Sequence, residues 1–106
     1  MNDIYKALAD PNRRRILELL RDRDMTAGEI ADCFDLAKST LSGHFTVLKQ
    51  ADLIQADKKG ATIIYHLNLS VLEDALLLMA STFKLSLKSN LAKLPQDNPK
   101  QVNYET

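Results

Sequence analysis

Two helical patterns stand only three residues apart in the middle of this chain, and that spacing constrains the fold more than any other feature. The first, "MTAGEIADCF", opens on Thr26 with Glu29 three residues on. This is the capping-box spacing, in which hydroxyl and carboxylate each satisfy an orphan backbone donor of a helix's first turn. Ile30, Cys33 and Phe34 recur at i, i+3 and i+4, which predicts an inward face. The second, "KSTLSGHFTVLKQ" over residues 38–50, sets Leu41, Phe45 and Leu48 at i, i+4 and i+7, one apolar stripe. Only "DLA" lies between the two patterns. So short a connection forces the helices to cross tightly over a shared core, the arrangement of a helix-turn-helix.

The opposite stripe of the second helix holds Ser39, Ser42, Gly43, Thr46, Lys49 and Gln50. Residues 38–50 contain no carboxylate, although the whole chain has 14 acidic and 14 basic residues. The charge is unevenly spread. Residues 36–72 carry four lysines against two aspartates, whereas residues 1–35 carry six bases against eight acids. In a helix-turn-helix the second helix enters the DNA major groove, which is about 12 Å wide and walled by phosphates. A carboxylate there meets like charge, while short polar side chains and glycine permit close approach. Lys38, Ser39, Thr40, Ser42, Gly43, Thr46 and Lys49 are therefore candidate DNA contacts, with Lys38 and Lys49 suited to phosphate. His44 either joins them or packs inward. On an isolated helix the same polar residues would read as an ordinary solvated face; the tight helix pair is what favours DNA contact.

The flanking segments complete a domain. Residues 1–9 form a short helix with Ile4 and Leu8 on one face. "DPNRRRILELL" starts a second, Asp10 suiting the N-cap and Pro11 the first helical position. Its Ile16, Leu17, Leu19 and Leu20 are core candidates. Arg13, Arg14 and Arg15 oppose the helix dipole and read as a solvated face with one arginine paired to a carboxylate, or as phosphate contacts. "DLIQADKKGATIIYHLN" reads as a hairpin. Ile63, Tyr65 and Leu67 alternate with Ile64 and His66, and "DKKG" supplies a turn where Gly60 can take positive φ. Lys58 and Lys59 at its tip form a basic finger suited to phosphate or the minor groove, while Tyr65 and His66 read as structural. Ser70 and Glu73 have the spacing of a second capping box. The helix they open is expected to run to about Lys93, with Leu72, Leu76, Met79, Phe83 and Leu87 along one side and Leu77, Leu78, Leu85 and Leu91 off that line. So wide an apolar surface calls for a partner. The expected fold is mainly α with a small two-stranded β wing, a single domain over residues 1–94 followed by a flexible tail over residues 95–106.

The segments "DPNRRRILELL", "MTAGEIA", "KSTLSGHFTVLKQADLI" and "KKGATIIYHL", taken in order, resemble the bacterial ArsR/SmtB family of winged helix-turn-helix repressors over residues 1 to about 85. Within it the chain is most similar to autorepressors of the SdpR type, which lack metal sites. The resemblance implies a homodimer formed by the first and last helices, with Ile4, Leu8, Leu72, Leu76, Met79 and Phe83 at the interface. It also implies an inverted-repeat double-stranded DNA operator, and repression relieved by an effector. Two departures matter. Gly43 stands where the family commonly has His or Arg, and Ala37 stands where it often has a capping Ser, so Ser39 becomes an alternative cap. The family's Cys-x-Cys metal pair would fall at Thr26 and Gly28, and no His follows His66. No metal and no other cofactor are therefore expected.

Several function classes recede. A formal charge of zero argues against a general polycation. The single cysteine permits no internal disulfide and fits a cytoplasmic setting. Cys33 reads as an inert small hydrophobe, with redox sensing as the alternative. No signal peptide is visible, and the longest apolar run, residues 75–80, is too short for a bilayer. No phosphate loop, nucleophile motif or paired acids suggest an enzyme. The competing class is a winged-helix adaptor for protein contacts, or a regulator with a redox or small-molecule input. An antagonist protein or membrane receptor remains an open partner.

Overall fold

The computed structural model describes residues 2–84. The chain divides into two units, Met1–Ala75 and Leu76–Thr106; the described part of the second is Leu76–Lys84. The expected tail, and the calls on Leu85, Leu87 and Leu91, lie outside the described residues; α5 ends at Thr82 rather than running on through Lys84, whose backbone is left-handed at φ 56°. The elements run α1 (Asn2–Leu8), α2 (Pro11–Asp22), β1 (Met25–Thr26), α3 (Ala27–Ala31), α4 (Lys38–Gln50), β2 (Ile54–Lys59), β3 (Thr62–Leu67) and α5 (Leu69–Thr82).

Local chemistry starts and stops the helices. Asp10 caps α2, its Oδ1 accepting from the N–H groups of Asn12 (2.8 Å) and Arg13 (3.2 Å). Burial opposes the charge on this carboxyl, but the Arg13 and Asn12 N–H groups outweigh it and hold the group below its ordinary 3.8. Thr26 and Glu29 form the expected capping box at 2.9 and 3.1 Å. The Thr26 N–H, helped by Arg23, holds the Glu29 carboxyl below its ordinary value. The arginines at the start of α2 have a different use from the solvated face expected of them. Arg13 donates to the carbonyls of Lys6 and Ala7, and Arg14 to that of Leu8, closing the C-terminal end of α1. They oppose the dipole of α2 but complement that of α1. Arg15 alone pairs with a carboxylate, Glu18, at 3.6 Å.

The core collects the expected apolar faces. Ala7, Ile16, Leu17, Leu20, Ile30, Leu41, Phe45 and Leu48 are buried, joined by Met25, Leu53, Ile54 and Tyr65. Ile4, Leu8, Leu19, Phe34 and Leu72 pack against them half-buried.

Four local expectations are corrected. First, α3 ends at Ala31 and Cys33 is exposed rather than inward. The backbone tightens there to i→i+3 bonds, Cys33 N–H to Ile30 O and Phe34 N–H to Ala31 O. That turns each residue further round the axis and carries Cys33 off the apolar face. Second, the sheet has three antiparallel strands in the order β1-β3-β2, because Met25 and Thr26 pair with Tyr65 and Ile64. Two residues are too few to show a strand period. Third, the wing turn is Gly60–Ala61, and Lys58 and Lys59 end β2 opposite Ile63 and Thr62. Gly60 has φ 63° and Ala61 no positive φ, the pattern of a type II′ hairpin turn. Fourth, Ser70 and Glu73 do not cap α5. Asn68, one residue before the helix, supplies the carbonyl that accepts from Val71 and Leu72, and the Ser70 hydroxyl donates to its Oδ1 (3.3 Å). The helix therefore starts at Leu69, one residue before the serine, on the Asn68 backbone carbonyl.

Candidate nucleic-acid interface

The outward face of α4 is fully available. Lys38, Ser39, Thr40, Ser42, Gly43, Thr46, Lys49 and Gln50 are all exposed, while Leu41, Phe45 and Leu48 are buried beneath them. No Asp or Glu lies on the helix. Its first turn begins at Lys38 behind Ala37, and no side chain caps it. Ser39 does not substitute for the missing cap, so its hydroxyl and the first backbone N–H groups of α4 are left for an external acceptor. Thr46 is differently disposed: its hydroxyl donates to Ser42 O at 3.1 Å, so it presents a methyl group and a lone pair outward. A Cβ built on Gly43 would meet nothing within 4 Å. Glycine is therefore not required here by the packing of the free protein.

His44 does not join this face. It is 8% exposed, with Nδ1 3.2 Å from an Arg13 guanidinium nitrogen and Nε2 4.0 Å from Asp10 Oδ1. Position 44 follows Leu41 by three and precedes Leu48 by four, which at 3.6 residues per turn sets it at the edge of the apolar stripe, and Arg13 and Asp10 hold it inward. Among its neighbours only the arginine and aspartate make that burial tolerable.

The wing stands on the same core as the recognition helix. Phe45 and Tyr65 stack with ring centroids 4.4 Å apart, fastening α4 to β3. Burial of that ring pushes the Tyr65 hydroxyl pKa upward. Lys38 and Ser42 of α4 line one groove together with Ile63 of the wing, so helix and finger flank a common surface. Lys58 and Lys59 are exposed at the end of β2. The one acid of the finger, Asp57, is turned back: its Oδ2 lies 2.6 Å from His66 Nε2, while Asp24 Oδ2 lies 2.7 Å from His66 Nδ1. The hydrogen bonds it makes to Asp24 and then to Asp57 raise the His66 pKa above its ordinary 6.5 against the opposing effect of burial. The two contacts tie the strand, the finger and the segment before β1 together and hold the finger's one carboxylate away from its lysines. His66 is structural, as its place in the strand pattern suggests, but its partners stand 9 and 42 residues away, beyond the reach of any spacing rule.

The residues expected at a subunit interface fall into two groups. Ile4, Leu8 and Leu72 are half-buried on their own chain's core, leaving only part of each side chain free. Leu76 and Phe83 are 46% and 67% exposed, Leu77 and Leu78 are exposed beside them, and Met79 is half-buried. Among the described residues no group of three or more His, Cys, Asp or Glu could hold a metal ion, and no helix is long and apolar enough to cross a membrane.

A tight helix pair with a polar, acid-free second helix and a basic hairpin beside it defines a winged helix-turn-helix DNA-binding protein. Residues 8–56 match the model of a helix-turn-helix domain. Over 76 residues the chain is 49% identical to the transcriptional repressor SdpR of Bacillus subtilis (strain 168), covering 72% of this chain and 84% of that protein. It is 32% identical over 74 residues to an arsenical resistance operon repressor of Staphylococcus aureus, covering 70% and 71%. A crystal structure of an ArsR family transcriptional regulator matches with a TM-score of 0.73 at 28% identity, over 78% of this chain and 91% of that one. The chain belongs to the ArsR/SmtB family of winged-helix transcriptional repressors. Members of that family bind DNA and are typically dimers, and the relatives are transcriptional regulators rather than enzymes.

Proposed function

We propose that the chain is a sequence-specific repressor that binds an inverted-repeat operator as a homodimer and, by its similarity to SdpR, represses its own operon. The support is the exposed face of α4, Ser39, Thr40, Ser42, Gly43 and Thr46 between Lys38 and Lys49, where a phosphate-walled groove meets no negative charge. Ser39, Thr40 and Ser42 are suited to base edges or phosphate, and the Thr46 methyl to a thymine methyl. Lys38, Lys49, Lys58 and Lys59 would neutralise phosphates, each contributing about one unit to the salt slope of binding. Leu76, Met79 and Phe83, with the free parts of Ile4, Leu8 and Leu72, would pack against a second copy. The protein would work where the chromosome is, in the cytoplasm, without catalysis.

The adaptor reading would call for an acidic or apolar outer face on α4, which this face is not. Metal control has little to stand on: Thr26 in the family's thiolate position spends its hydroxyl on the N–H of Glu29. Zinc added to the protein should leave operator affinity unchanged; sub-micromolar zinc that weakens it would overturn this. The central test is a titration of the protein against duplex DNA from its own promoter. Ser42→Glu should abolish binding at the concentrations where wild type saturates, with no more than a small change in thermal midpoint. Undiminished affinity would refute the placement of α4 in the groove.

A further inference from the structure

Arg13 stands where three elements meet. Its Nε donates to Ala7 O and one terminal nitrogen to Lys6 O, both at 2.9 Å, at the end of α1. Its own N–H is held by the Asp10 cap of α2. Its other terminal nitrogen reaches His44 Nδ1 of α4 at 3.2 Å. A guanidinium has no lone pair to offer. That contact is a hydrogen bond only when Nδ1 accepts, which leaves the ring proton on Nε2 facing Asp10. His44 is the one buried polar side chain among the described residues.

Apolar residues of like volume in place of both Arg13 and His44 would lose little stability, whereas removing one partner leaves the other unpaired. What a polar contact adds is direction. The planar fork of an arginine is fixed once two of its nitrogens are bound to carbonyls, so its third bond aims at one point on α4. We propose that Arg13 and His44 are positioning residues that set the tilt of α4 against α1 and α2, and thereby the operator half-site spacing the dimer accepts. The proposal rests on the reading of the chain as a dimeric DNA binder. The lever is long enough to matter. A helix of 13 residues spans about 20 Å, so a tilt of about 10° moves its ends by about 2 Å. That is about half of a 3.4 Å base step.

The test uses the full chain and duplexes selected by wild type from a random pool. It compares a single half-site with two half-sites at the selected separation and at separations one and two base pairs longer or shorter. Wild type should lose affinity steeply away from the selected separation. His44→Leu should keep its circular dichroism and its half-site affinity, bind the selected duplex about tenfold more weakly and show a flattened spacing profile. Arg13→Lys, which keeps the charge without the fork, should do the same and serves if the leucine variant does not fold. His44→Asn places an amide oxygen where Nδ1 lies and should restore the steep profile. A folded His44→Leu with the wild-type affinity and profile would overturn the proposal. So would equal losses on half-site and full site, since those mark a damaged helix and not a turned one. Wild type without any sequence preference would instead bring down the underlying DNA-binding reading, and this proposal with it.

Discussion

Asp52 holds a left-handed backbone, φ 59°, immediately after α4. Its N–H bonds Lys49 O and the N–H of Leu53 bonds Leu48 O, the paired bonds of a Schellman closure, with Leu48 and Leu53 both fully buried. Glycine is the usual residue there, because a Cβ in that conformation crowds the following carbonyl. Asp52→Gly should therefore stabilise the fold by about 0.5–1 kcal/mol, seen as a higher urea midpoint at unchanged slope. Asp52→Val should lower it. His66 supplies a second prediction at this scale. Its pKa is raised by Asp24 and Asp57, so the stability it contributes is fully present below its ordinary 6.5 and is lost as pH rises through its higher folded-state value. The thermal midpoint of wild type should exceed that of His66→Asn near pH 6, and the two should converge as the solution becomes alkaline. Salt should shrink the difference, since the ring is 30% exposed. A gap that widens with pH would contradict the assignment.

At the scale of the element, α4 serves two ends that conflict at Gly43. A glycine inside a helix costs about 1 kcal/mol relative to alanine, and the space for a Cβ there is open. Gly43→Ala should raise the thermal midpoint by about 4–8 °C in a domain of this size. If close approach of the helix to DNA is what glycine provides, the same substitution should weaken operator binding, measured by fluorescence anisotropy. A variant both more stable and equally tight would show that position 43 does not touch the groove. The stripes of α4 were readable from spacing alone because a regular helix imposes its own period on thirteen residues. His44 was not, because it lies at the boundary between the stripes. Its side was decided by Arg13 and Asp10, which reach it from another helix. Cys33 was misplaced for a related reason: the spacing rule presumes a helix that continues, and α3 tightens before reaching it.

At the scale of the whole molecule, the exposed Leu76, Leu77, Leu78 and Phe83 present more apolar surface than a solvated helix usually keeps. If the proposed dimer forms through this surface, Leu76→Lys should convert it to a monomer in sedimentation equilibrium and reduce operator affinity while leaving the α4 face intact. A dimer that persists would remove that residue from the interface. The acid-free helix, the capping box at Thr26 and the N-cap at Asp10 were all determined by the sequence itself. Each depends on residues within about two helical turns of one another, where backbone periodicity fixes the geometry. The third strand, the arginines turned back to close α1, the buried His44 and the carboxylates clamped on His66 were decided only by the tertiary structure. Each joins groups from different elements, and no local rule says which distant partner a charged side chain will meet.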